Sequence, residues 1–207
     1  MTNCRKKRIL IIAEGLEEKL YIDKLLSFPN INHDVYDIKP AINVKGNAKI
    51  AARYQYLFQS NYYDLILIFC DADKGSDVFN QLLDEIGSLF PDKKDALRIV
   101  MFANPVTLQI VLSHFGDVCI TRIGKKSNAD TVEKLTGIKD YDAKTEQIEE
   151  MVNKIHYNSI DSFKRRIKSI SDNVDDIPST NILSFVERFE SEDTSWIDEI
   201  INLMICN

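Results

Sequence analysis

Seven glycines and five prolines in 207 residues are too few for a collagen-like, linker-rich or low-complexity chain. The four cysteines, Cys4, Cys70, Cys119 and Cys206, form no Cys-x-x-Cys pair. Cys70 and Cys119 sit inside apolar runs and read as small core residues, which suits a reducing cytoplasm better than a disulfide framework. The three histidines, His33, His114 and His156, lack the spacing of a zinc site. His114 reads as a hydrogen-bonded packing residue on an apolar helix. No apolar run approaches the roughly 20 residues that a bilayer span needs. The run 9–13 follows a basic stretch but is cut short by Glu14, so it does not make a signal-peptide core. A cytoplasmic protein without a membrane partner is the expectation. Gly124-Lys125-Lys126-Ser127 imitates the end of a phosphate-binding loop without its upstream glycine.

What remains is ordinary globular material, 44% hydrophobic and 28% charged, with a net charge of −6. That acidity is local. Residues 172–207 hold nine acids against one base, Arg188, so the first 171 residues carry a slight positive excess. Whole-chain charge therefore does not exclude a phosphate-bearing partner. The basic cluster Lys164, Arg165, Arg166 and Lys168, on an expected helix, is a candidate nucleic-acid contact, for which the acidic tail would compete.

Continuous apolar runs at 7–13, 65–70 and 97–102 read as buried strands, with weaker candidates at 35–39, stopped by Pro40, and at 118–123. Helical spacing occupies 16–28, 48–58, 78–90 and 106–115 between them. Strand–helix alternation predicts an α/β domain over residues 1–125. Its expected form is a mostly parallel sheet of about four strands with helices on both faces. After residue 125 only helices are expected, at 146–157, 159–171, 182–189 and 196–205, forming an appendage over 126–207.

Chemistry in such sheets gathers at the carboxyl ends of the strands, and two of these strands end in acids. The first gives Glu14-Gly15, with Glu17 and Glu18 opening the next helix; the second gives Asp71-Ala72-Asp73. On an extended tip, Asp71 and Asp73 would face the same side, and Glu14 from another strand would complete an oxygen-rich cluster suited to Mg²⁺ or Mn²⁺. Glu17 reads as a helix-start acid that favours the dipole.

The run from Ile9 to Tyr21, with Glu14-Gly15, Glu18 and Tyr21 in an EGxxExxY pattern, and the Asp71-Ala72-Asp73 strand end resemble a Toprim domain. They are most similar to the RloB-like proteins of bacterial defence islands, with OLD-type nucleases as further relatives of that domain type. Ala103-Asn104-Pro105 with His114-Phe115 resembles the SNP…HF segment of the same group. The likeness covers roughly residues 7–125. It implies a metal-dependent nuclease hydrolysing DNA or RNA, in phage defence or mobile-element biology. A protein partner such as an ATPase is implied with it. Asp71 and Asp73 would then hold one cation, Glu18 a second, and Glu14 would ligate or act as general acid/base. Lys125 or Lys126 is the candidate leaving-group cation, with Lys74 the nearer alternative. The chain departs from that pattern where an acid usually follows the Asn-Pro: Val106-Thr107-Leu108-Gln109 offers none. A catalytically inactive module serving as a partner subunit is the alternative expectation.

Overall fold

The computed structural model describes residues 5–73, 76–121, 123–124 and 126–204. The chain runs β1 (Lys7–Ala13), α1 (Leu16–Leu26), β2 (Tyr36–Ile38), β3 (Ile42–Asn43), α2 (Ile50–Phe58), β4 (Leu65–Asp71), α3 (Asp77–Gly87) and β5 (Val100–Asn104). It continues with α4 (Leu108–Leu112), α5 (Ala129–Thr136), α6 (Thr145–Asn153), α7 (Ile160–Lys168), β6 (Ser179–Thr180), α8 (Ile182–Glu190) and α9 (Ser195–Leu203). The architecture is α/β with a mostly parallel sheet in the order β2-β1-β4-β5-β6, and β3 also pairs with β1. Among the described residues only the β5–β6 pair is antiparallel.

Buried parallel strands have no polar face to show, and β1 and β4 are accordingly apolar on both. Ile9 to Ala13 and Leu65 to Cys70 are all nearly inaccessible. The register Ile9–Leu65 through Ala13–Phe69 brings the two acidic strand ends side by side. The chain leaves β1 for β2 on one side and returns to β4 on the other, so the crevice above β1 and β4 is the point where the winding direction reverses. That is where open α/β sheets leave room for a ligand.

The second strand stops at Ile38, before Pro40 as expected, and a short strand follows beyond the proline. Proline has no N–H for the ladder. Lys39 N–H still reaches the Ile9 carbonyl at 2.9 Å, and Ala41 N–H turns aside to Asp23 Oδ1 at 2.7 Å. Pairing then resumes at Ile12–Ile42 and Ala13–Asn43. β2 and β3 are thus two halves of one edge, and the sheet has six strand segments rather than about four.

Two expectations fail on the other edge. Residues 118–121 are irregular chain, not a strand, and Cys119 is exposed there while Cys70 is buried. The place beside β5 is taken instead by β6, from a region expected to be purely helical. Thr180 Oγ1 donates to Phe102 C=O at 2.6 Å and Asn181 Oδ1 accepts the Phe102 N–H at 2.9 Å. One hydrophobic core runs from Ile9 to Met204 and crosses the expected division at residue 125. The unforeseen α5 buries only Val132 and ends at Gly137, whose φ of 76° is the left-handed turn that glycine makes without strain. Among the described residues no helix is long and apolar enough to cross a membrane.

Candidate functional site

Glu14 follows the last residue of β1. Its own N–H donates to Phe69 C=O at 3.0 Å, and its carboxylate Oε2 accepts the Asp71 N–H at 3.0 Å. The two strand tips are therefore tied through the acids themselves. Asp71 closes β4, and its Oδ1 accepts both the main-chain N–H of Thr107 at 2.6 Å and the Thr107 hydroxyl at 2.7 Å. Thr107 is buried, so the segment after Asn104-Pro105 supplies no acid but fixes one. Asp73 also lines the cleft, although not as the next outward residue of an extended tip. The strand has ended, and Asp73 turns the chain with φ 47°, a conformation aspartate tolerates better than most residues. Ala72 N–H holds Ala103 C=O at 2.8 Å, and Asp73 N–H holds Pro105 C=O at 3.2 Å.

Glu18 is buried, in the first turn of α1. A Cβ on Gly15 would lie 2.6 Å from Glu18 Oε2. The carboxylate folds back over Gly15, which gives the Glu-Gly pair a steric reason: a side chain there would push Glu18 off the site. Glu17, read from sequence as a helix-start acid, also faces the cleft, and the Tyr141 hydroxyl approaches its Oε1 at 3.5 Å.

The cleft holds about 540 Å³, with Glu14, Glu17, Glu18, Asp71 and Asp73 among its lining residues. A larger cavity, about 710 Å³, lies at the amino ends of β1 and β4. Its charged groups are already paired, Lys7 with Asp198 and Asp64 with Arg5 and Arg8, so the chemistry belongs to the smaller cleft.

Crowding carboxylates in a partly buried space penalises their charged forms. Burial, with Glu18 and Asp73 nearby, raises Glu14 to about 7 despite the opposing Asp71 N–H. Asp71 is raised well above the carboxylate range by burial and then by Glu18, against the Thr107 hydrogen bond, and burial raises Asp73 as well. Among the described residues no three acidic, histidine or cysteine side chains stand close enough to grip an ion as they are. The donors nevertheless fit a hard divalent cation in kind. They are oxygens only, Glu14 and Asp71 come from the ends of buried strands, and neighbouring carboxylates add to the effect of burial at both. Asn47 Nδ2 donates to the Asp71 carbonyl at 3.3 Å, and its Oδ1 is buried without a hydrogen-bond partner among the described residues.

The expected basic groups fare differently. Lys74 and Lys125 lie outside the described residues. Lys126 is exposed, 4.0 Å from Asp142, and does not line the cleft. None of Lys164, Arg165, Arg166 and Lys168 lines it either. Lys164 pairs with the tail acid Glu190 at 2.6 Å, and Arg166 bonds Asp117 and the Ser113 carbonyl, so these side chains already bind α7 to its neighbours. His114 is the packing residue expected. Its ring lies flat on Phe163 at 4.0 Å and its nitrogens meet the Tyr21 and Ser159 hydroxyls; burial holds its pKa down at about 3.

Comparisons with known protein families, with characterised proteins and with solved structures find no match for this chain.

Sequence alone pointed to Glu14, Glu18, Asp71 and Asp73 but missed Thr107, Glu17 and Asn47. For Thr107 the signal was its place three residues after Asn104. Thr107→Val should lower stability by about 1–2 kcal/mol, because one of two donors to a buried carboxylate is lost. Thr107→Ser should restore it. Urea melts of the two variants check this.

Proposed function

We propose that the chain is a Toprim-like nuclease that hydrolyses phosphodiester bonds of DNA or RNA with Mg²⁺ or Mn²⁺. Bacterial defence or mobile-element biology is the setting, and an ATPase a fitting partner. The observation that carries this reading is the tie between Glu14 and Asp71 at the reversal point of the parallel sheet, with Glu18 and Asp73 lining the same cleft.

In this reading Asp71, Asp73 and Glu18 are the residues that hold the cation. A bound divalent ion would supply charge neutralisation at the phosphate and a more acidic water. Thr107 keeps Asp71 from rotating away. Glu14 has Oε2 committed to the Asp71 N–H, so Oε1 is the atom at which a proton is exchanged. Burial and the neighbouring acids raise Glu14 to about 7 when no cation is present; a cation beside it would lower that value and leave Oε1 free to accept a proton as general base.

Plasmid, single-stranded DNA and RNA incubated with Mg²⁺ or Mn²⁺ test the proposal. Cleavage is expected, and Asp71→Asn with Asp73→Asn should reduce it by at least about 100-fold. Cleavage undiminished in that double variant would sink the assignment. The competing reading, an inert module, is favoured by the missing acid after Asn104-Pro105. Wild-type protein that binds neither cation in calorimetry would select it.

A further inference from the structure

The acids form one side of the cleft, and the loop between β3 and α2 forms another. That loop is stitched to both acidic strand tips. Val44 N–H donates to Ala13 C=O at 3.1 Å and Gly46 N–H to Glu14 C=O at 2.9 Å, while Asn47 reaches the Asp71 carbonyl. At its apex Lys45 N–H donates to Asn43 Oδ1 at 2.8 Å, and Lys45 itself sits at φ 58°. Left-handed backbone is costly for a lysine and easy for glycine or asparagine, so the position carries a lysine against local preference. Strain of this kind gathers at ligand clamps. Among the described residues Lys45 is the basic side chain lining the cleft, and it is exposed and forms no ion pair with another described residue. The lining also includes apolar residues, of which Ile123 is exposed and Leu16 half-buried, with Val106 and Ile148 buried behind them in the core.

Resting on the phosphodiester reading above, we propose that Lys45 binds the substrate phosphate while the nucleotide's base lies on the apolar surface at Leu16 and Ile123, which makes the substrate single-stranded nucleic acid. Cation, acids and apolar surface then match the three parts of one nucleotide unit: the lysine neutralises the phosphate, the acids flank the reacting bond, and the apolar surface covers the flat base. A base in a duplex is stacked between its neighbours and cannot lie there without leaving the stack. A single strand presents it at no such cost.

The test uses the full chain with Ca²⁺ in place of Mg²⁺, a labelled single-stranded oligonucleotide and its duplex, and Lys45→Asn and Lys45→Arg. Asparagine removes the charge yet suits the left-handed backbone, so the loop is kept. Lys45→Asn should weaken single-strand binding about five- to ten-fold and flatten the slope of log K against log salt by about 0.7, the loss of one phosphate contact. Lys45→Arg should bind like wild type, and the duplex should bind more weakly than the single strand. Cleavage is followed in parallel with Mg²⁺. A wild type that cleaves, with Lys45→Asn unchanged in affinity and salt slope, overturns the role of Lys45 and leaves the nuclease reading standing. Tighter duplex binding overturns the single-strand assignment. A wild type that neither binds nor cleaves overturns both this inference and the reading beneath it.

Discussion

In cation-free buffer at pH 8, Glu14→Gln should melt at a higher temperature than wild type, and the difference should disappear below about pH 5. The folded protein raises Glu14 from 4.5 to about 7. Between those values the folded state binds more protons than the unfolded one, so stability falls as pH rises. The loss is complete above pH 7. A 2.5-unit shift corresponds to about 3.4 kcal/mol at most. Glu14 is partly open to solvent, and screening brings the expected gain to about 1–3 kcal/mol, at about 2–4 °C per kcal/mol for a chain of this size. Glutamine keeps a carbonyl oxygen to accept the Asp71 N–H, so the variant removes charge without removing the tie. Mg²⁺ added at pH 8 should raise the melting temperature of wild type more than that of the variant. Identical pH profiles for the two proteins would show that Glu14 is not raised by its burial and its neighbours' charge. His114 gives the profile its acid limb. Buried and held at about 3, it binds fewer protons than in the unfolded chain, so stability also falls as pH drops below 6.5.

The strands that build the site were legible because fully buried parallel strands leave one unambiguous trace, a short continuous apolar run. Lys7–Ala13 was expected at those bounds, and Leu65–Asp71 one residue short. The edges left no such trace. β6 is two residues, Ser179 and Thr180, both polar, and it is held by side-chain bonds to β5 as much as by its ladder. No periodicity argument finds a strand of that length. The run 118–123 carries the right composition but is held by the first turn of the short helix before it: Gln109 donates to Val118 C=O and accepts the Ile120 N–H. Those bonds use the backbone groups that a ladder would need.

The acids of the site were legible from strand ends alone, and their partners were not. Thr107 and Asn47 reach Asp71 across 36 and 24 residues, distances over which sequence pattern says nothing. The Asp71-x-Asp73 argument put both residues at one cleft, where they lie, but by the wrong geometry, since a left-handed turn rather than strand alternation brings Asp73 in. Lys45 was passed over because an isolated lysine in a polar loop looks like any solvated one. Its distinction is a backbone angle, which only the folded chain displays.

A chain ending at residue 171 should fail to fold cooperatively, although the strands with the candidate acids all precede that point. The missing part supplies β6 on the sheet edge. It also supplies Ile182, Phe185, Val186, Phe189, Trp196, Ile197, Ile200 and Met204 to the common core. At about 1.5–3 kcal/mol for each buried side chain, their loss, about 12–24 kcal/mol, is as large as or larger than the roughly 5–15 kcal/mol by which domains are stable. The tail also finishes hydrogen bonds that begin in the first half. The Tyr36 hydroxyl donates to Arg188 C=O at 3.0 Å and accepts Trp196 Nε1–H at 2.9 Å, and Asn32 N–H meets Phe189 C=O at 2.9 Å. Tyr36 and Phe189 stand edge to face at 5.3 Å, and Trp196 closes the cluster. Far-UV circular dichroism should show residual helix in the shortened chain, with no sharp melting transition. Trp196→Phe in the full chain gives the graded version: it keeps a ring, drops the bond to Tyr36, and should cost about 1–2 kcal/mol with cooperativity intact. A sharp transition at the wild-type midpoint in the 1–171 fragment would establish the acidic helices as a separable appendage. Glu190 on Lys164 would then be a removable cover over a basic surface, where the fold described above makes it a joint between two parts of one core.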